Sequence, residues 1–234
     1  MKKVAILQSN YIPWKGYFDM IASVDEFILF DEVQYTKNDW RNRNQIKTKD
    51  GLKWLTIPIS AKGRVTNAQQ IRETYISDMS FAAKHWGQLE QSYSKSPFFE
   101  EVSEWLRLLY SENLPDNLSQ LNRVFIEAIC KYLNISTKIT NSWDYTQEEG
   151  RTERLASICE QTGATVYVSG PAAKNYLDEA VFNSRNMQVE WFNYDGYPEY
   201  PQLHGEFVHA VSVLDLIFNT GKDAPYFVWG WRGR

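Results

Sequence analysis

Val4-Ala5-Ile6-Leu7, closed by the polar Gln8-Ser9-Asn10, is followed by a second apolar run, Glu26-Phe27-Ile28-Leu29-Phe30, closed by Asp31. Short, unbroken apolar runs suit strands buried on both faces, as in parallel sheets. Between them Pro13 and Gly16 punctuate a loop, and Tyr17 to Ser23 predicts a short helix. Strand, loop, helix and strand within about 30 residues make a βαβ unit, with parallel strands and a right-handed crossover.

The chain beyond this unit changes character. Gln34-Tyr35-Thr36-Lys37-Asn38-Asp39-Trp40-Arg41-Asn42-Arg43-Asn44-Gln45 is polar, aromatic and basic, and Lys47, Lys49 and Lys53 extend it. Asp50-Gly51 signals a hairpin turn, with Leu52 to Ile57 as the returning strand. A connection this long inside a compact domain suggests a functional loop or lid. Met79 to Tyr93, Phe98 to Tyr110 and Leu118 to Leu133 carry helical apolar spacing, clearest at Leu118, Leu121, Phe125, Ile129 and Leu133. Strand and helix signals then alternate: strands at Ser136–Thr140, Thr165–Val168 and Val189–Phe192, and helices at Arg151–Thr162, Ala172–Tyr176 and Val211–Asn219. The expected architecture is α/β: one domain spanning 1–234, with a mostly parallel Rossmann-like sheet flanked by helices and a helical insertion at about 79–133. Gly230 to Arg234 reads as a loose tail.

Composition narrows the classes of function. The 234 residues are 43% hydrophobic and 23% charged, which excludes disorder for most of the chain. Lys plus Arg number 25 against 29 Asp plus Glu, a net charge of −4, so no global field attracts nucleic acid. Two cysteines and 3 histidines make a zinc cage unexpected, and no metal is assigned. Cys130 and Cys159 fall on helical apolar faces and read as core residues. No apolar stretch reaches the ~18–20 residues of a membrane helix, and the apolar start is too short for a signal peptide. A cytoplasmic protein without membrane insertion is expected. Aromatic residues reach 15%, enough to fill a core or to line a ligand cleft.

In open parallel sheets, ligands bind outside the carboxyl ends of strands. Gln8-Ser9-Asn10, Asp31, Asn141-Ser142 and Ser169-Gly170 all end proposed strands, and the Tyr35–Arg43 segment would lie beside them. The loop after the first strand has one glycine, so it matches neither the dinucleotide fingerprint nor the P-loop. Arg41 and Arg43 offer guanidinium forks for phosphate, with Trp14, Tyr17 or Trp40 to stack on a sugar or base. His85, beside Lys84, and Asp31 are the candidate proton acceptors. Each also has a plain structural reading: a buried helical histidine, and a carboxylate capping a loop. His204 and His209 are spaced wrongly for one helical face. Ser169, without a nucleophile elbow, suits ligand contact better than nucleophilic attack.

The ordered segments Gln8–Phe18, Asp31-Glu32-Val33-Gln34-Tyr35, Trp40-Arg41-Asn42-Arg43, Leu55-Thr56-Ile57-Pro58, Lys84-His85-Trp86, Tyr167-Val168-Ser169-Gly170, Tyr200-Pro201-Gln202 and Ser212–Leu216 resemble the WbqC-like proteins over nearly the whole chain. The resemblance marks Gln8, Tyr11, Trp14, Gly16, Tyr17, Asp31, Gln34, Tyr35, Trp40, Asn42, Arg43, His85, Trp86, Ser169, Gly170 and Gln202 as positions expected to matter. It implies work on bacterial surface glycans such as O-antigen or capsule. The joint expectation is a transferase that acylates a nucleotide-linked amino sugar, with coenzyme A or an acyl carrier protein as thioester donor. A non-catalytic assembly factor is the alternative from another class. ATP-dependent acyl activation on a nucleotidyltransferase-like fold is a third, weakened because the first loop lacks a histidine.

Overall fold

The computed structural model describes residues 1–60, 69–111 and 113–233. Strand β1 (Lys3–Leu7) leads through α1 (Lys15–Ala22) to β2 (Glu26–Leu29), the βαβ unit that the apolar runs predict. A hairpin follows, β3 (Arg43–Thr48) and β4 (Gly51–Thr56), paired antiparallel from Arg43 opposite Thr56 to Thr48 opposite Gly51. Gly51 has φ +104°, a value that L side chains rarely adopt, which is why the Asp50-Gly51 signal marks this turn. Helices α2 (Phe81–Tyr93), α3 (Phe99–Ser111) and α4 (Leu118–Tyr132) separate the hairpin from β5 (Lys138–Asn141). Then come α5 (Arg151–Gln161), β6 (Val166–Ser169), α6 (Glu179–Asn183), β7 (Gln188–Trp191), α7 (Val213–Thr220) and α8 (Ala224–Val228).

The five-stranded sheet runs β5-β2-β1-β6-β7, and every neighbouring pair is parallel. Counted in chain order the strands read 3-2-1-4-5, the Rossmann succession, which reverses direction between β1 and β6. Strict alternation assigns the two faces. Val4, Ile6, Ile28 and Tyr167 pack with Leu155, Ile158 and Cys159 of α5 and Phe182 of α6. Ala5, Phe27, Leu29, Val166 and Val168 belong to a larger core with side chains of α1, α4, α7 and α8. Because both faces are covered, the inner strands β1, β2 and β6 are mostly apolar on both sides, whereas the edge strands β5 and β7 carry exposed polar positions. Both cysteines are buried and free, and burial pushes the Cys130 thiol up to about 12.

Three local expectations need correction. Pro171–Asn175 forms a 3-10 turn in place of a helix at Ala172–Tyr176, and α6 was not anticipated. The end of the chain is not loose. Gly230–Arg232 forms a 3-10 turn, and Arg232 Nε reaches the buried Asp19 carboxylate of α1 at 2.8 Å, which Tyr197 Oη also meets. A cation with two carboxylate and carbonyl contacts is a strong local anchor, and no glycine count in the tail reveals it. Arg234 lies outside the described residues.

Candidate functional site

The reversal between β1 and β6 leaves a crevice beyond their carboxyl ends, the usual ligand position in such sheets. A hollow of about 300 Å³ opens there, with Gln8, Arg151, Ser169, Gly170 and Tyr176 among its lining residues. Gln8, Ser169 and Gly170 are therefore brought together as their strand-end positions predict. Arg151 is the first residue of α5, and its guanidinium stands 5.2 Å from the Tyr176 ring. A cation at a helix N-terminus opposes the helix dipole. That local inconsistency was the available signal for Arg151, which sequence reading passed over.

The loop after β1 is fixed from several sides. Tyr17 Oη donates to the Gln8 carbonyl at 3.0 Å, and the Ser9 backbone N–H donates to Asp31 Oδ1 at 2.8 Å. Ile12 is held at φ +37°, which is strained for a β-branched residue. The Asn44 carboxamide donates to both Tyr11 O and Ile12 O, at 3.1 and 3.0 Å, and so holds the strained segment in place. Arg41 completes the arrangement. Its guanidinium donates to Asn10 Oδ1 and, at 3.3 Å, to Gln8 Oε1, while its nearest described carboxylate, on Asp39, is 3.9 Å away. Two neutral oxygens thus aim a cation at the end of β1, where Asp39 pairs with it only at long range and the buried Asp31 carboxylate also feels its charge.

Asp31 is fully buried at the centre of this framework. Its second oxygen accepts from Ser119 in the first turn of α4, and Asn122 Nδ2 reaches Ser9 Oγ at 3.0 Å and the Arg41 carbonyl at 2.9 Å. Burial raises the Asp31 pKa, and the hydrogen bonds from Ser119 and Ser9 oppose the rise. Both carboxylate oxygens are engaged, so the group acts on geometry. It ties β1, β2 and α4 together. Asn122 was missed, although an amide on the otherwise apolar stripe of α4 was a legible sign.

His85 is also buried, and it is fully engaged. Its Nε2 lies 3.2 Å from the Thr56 carbonyl and its Nδ1 2.9 Å from Tyr11 Oη, which in turn meets Tyr110 Oη at 2.6 Å. A carbonyl can only accept, so Nε2 carries the proton and the Nδ1 lone pair is taken by Tyr11. Burial, with help from the Lys84 charge and against the Thr56 bond, lowers its pKa to about 4. Such a histidine stabilises the fold only while neutral. Its contribution is complete above its unfolded pKa of about 6.5, and it is lost as pH falls toward 4, in total about 3 kcal/mol. The stability gap between wild type and His85→Gln, measured by urea unfolding, is accordingly expected to shrink by about that amount between pH 7.5 and pH 4.

The remaining candidates divide. Trp14 and Trp40 line a second hollow with Asn10. Tyr11 and Tyr17 are buried supports, and burial pushes the Tyr35 hydroxyl up to about 12. Gln34 is exposed on the segment after β2, where its backbone bridges to Gln70. Asn42 is buried and donates to the Ile57 carbonyl at 2.9 Å. Arg43 stacks on Trp54 at 4.1 Å, which commits it to the hairpin and away from the crevice. Gln202 has both amide ends occupied: Nε2 by Tyr200 Oη and Val208 O, and Oε1 by Val208 N and Lys47 Nζ. It closes the 200–208 loop. Lys15, unassigned from the sequence, sits within 5.2–5.6 Å of the Tyr197, Tyr200 and Phe207 rings, and burial lowers its pKa to about 8.

A roomier hollow of about 500 Å³ beside the hairpin turn contains none of the candidate residues. Among the described residues no three His, Cys, Asp or Glu side chains gather in a metal-binding group. No described helix is long and apolar enough to cross a membrane.

Comparison with known proteins places this framework. The family model for "WbqC-like protein family" matches residues 8–226, from the crevice glutamine to α8. The chain belongs to the WbqC-like protein family. A protein of Mycobacterium tuberculosis, "Uncharacterized protein Rv1507c", is 56% identical to this WbqC-like chain over 228 residues, covering 97% of the chain and 98% of the relative. No solved structure matches it significantly.

Proposed function

We propose that this WbqC-like protein is a transferase of bacterial surface-glycan biosynthesis that binds a nucleotide-linked amino sugar at the switch-point crevice and acylates its amine. One observation carries the proposal: the Arg41 guanidinium is aimed from two amide oxygens at the carboxyl end of β1, and its one ion pair among the described residues, to Asp39, is long at 3.9 Å. A fixed fork with only a long ion pair suits a diphosphate. Arg151 lines the crevice that Arg41 reaches through Gln8, and Tyr176 offers a ring there. The donor is a thioester of coenzyme A or of an acyl carrier protein. The free amine attacks the thioester carbonyl, the C–N bond forms, the C–S bond breaks, and the departing thiolate takes the amine proton.

A second reading, a non-catalytic binding factor for glycan assembly, draws support from the two proton acceptors: Asp31 and His85 are both occupied. Incubation with UDP- and dTDP-linked amino sugars and a panel of acyl thioesters, read by mass spectrometry, separates the two. An acylated nucleotide sugar is the expected product. Binding without any acylation across the panel supports the assembly factor, and an absence of nucleotide-sugar binding overturns both readings.

A further inference from the structure

A second hollow, of about 240 Å³, has a lining that includes Asn10, Trp14, Trp40 and Asn44, and Arg41 links its Asn10 to the crevice's Gln8. Its two indoles are fixed from behind. Trp14 packs against Tyr194 and Tyr197 at 5.4 and 5.8 Å, and its backbone bridges to Ser212. The Trp14 ring lies so close over α1 that a Cβ on Gly16 would stand 2.3 Å from it, so only glycine admits this placement. Trp40, 42% exposed, rests against Trp54 at 5.4 Å, and Trp54 is itself covered by the Arg43 guanidinium. The Asn44 amide is occupied, whereas the Asn10 amide nitrogen has no partner among the described residues.

We propose that this hollow holds the sugar ring of the nucleotide-linked substrate, with Arg41 carrying the phosphates between it and the switch-point crevice. The inference rests on the nucleotide-sugar reading above and assigns its sugar subsite. Continuity supports it, because one guanidinium binds Gln8, which lines the crevice, and Asn10, which lines the second hollow. Size supports it too. Each hollow alone falls at or below the ~300 Å³ floor of small-molecule sites, so a ligand as long as a nucleotide sugar would need both. Preformed indole walls suit a pyranose, which presents apolar C–H faces and a rim of hydroxyls. Asn10 supplies a free N–H at that rim.

The test compares UDP and dTDP with UDP-glucosamine and a dTDP-linked amino sugar, by calorimetry and by 19F NMR of 5-fluorotryptophan-labelled protein. Trp40→Ala and the milder Trp14→Phe are each expected to weaken sugar-nucleotide binding about tenfold and to leave nucleoside diphosphate binding within about twofold. The Trp14 and Trp40 resonances should move with the sugar nucleotide and not with the diphosphate. Equal losses for both ligand types, or no loss for either, would overturn the sugar subsite and leave the nucleotide reading standing. If wild-type protein binds none of the four ligands, the nucleotide reading fails and takes the subsite with it.

Discussion

Replacing Asp31 with alanine is expected to destabilise the protein by about 4 kcal/mol, a fall of about 10 °C in Tm. The substitution strands the Ser9 N–H and the Ser119 hydroxyl, two donors held against a fully buried carboxylate. Each unsatisfied group costs roughly 1–3 kcal/mol, and the carboxylate's interaction with the first turn of α4 is lost as well. Asp31→Asn should behave differently. Its amide oxygen still accepts from Ser9 and its amide nitrogen can donate to Ser119 Oγ, so a cost of about 1 kcal/mol is expected. Thermal melts of the two variants give the comparison. Activity then separates structure from catalysis: Asp31→Asn should retain most ligand binding and turnover. A folded Asp31→Asn protein with no turnover would restore Asp31 as a proton acceptor.

The second large effect concerns Arg41. Arg41→Ala should weaken binding of a nucleoside diphosphate about 100-fold, close to 3 kcal/mol, because the group lost is a charged, preorganised donor pair. Arg41→Lys keeps the charge and loses the fork, and an intermediate loss of about tenfold is expected. Neither variant should alter Tm by more than a few degrees. The guanidinium hydrogen-bonds two neutral amides and meets the partly exposed Asp39 carboxylate only at 3.9 Å, and the contact that braces α4 comes from the Arg41 backbone carbonyl. Calorimetry at low and moderate salt checks both points. A diphosphate affinity unchanged by Arg41→Ala would remove the main support for a phosphate site at this crevice.

The fold was largely legible because buried parallel strands have an unmistakable signature. Val4–Leu7 and Glu26–Leu29 are apolar on both faces, and their polar terminations mark the carboxyl edge. Strand order was not legible: no local pattern says that β6 pairs with β1 on the side opposite β2. The convergence of Gln8, Ser169 and Gly170 followed from parallelism alone. The sorting of the other candidates did not, since a motif reports that a residue matters and leaves its role open. His85, Tyr11 and Gln202 stand in recognisable segments, yet their polar atoms are engaged by hydrogen bonds, among them ones to partners 74 and 155 positions away in sequence. Conversely, Asn122 and Arg151 look like ordinary helical residues, and tertiary placement alone gives them their positions.

The position of β1 at the centre of the sheet has a consequence during synthesis. Its β2 flank is covered once some thirty residues have left the ribosome, whereas its other flank waits for Val166–Val168. While the residues between β2 and β6 are being made, the nascent chain therefore presents the raw backbone edge of an apolar strand, which is adhesive toward other chains. Arg232 arrives 213 residues after the Asp19 it binds, so its clasp closes only after all five sheet strands have been made. Contacts this distant slow folding, so production of this protein in a foreign host rewards slow translation, low temperature and chaperone supply.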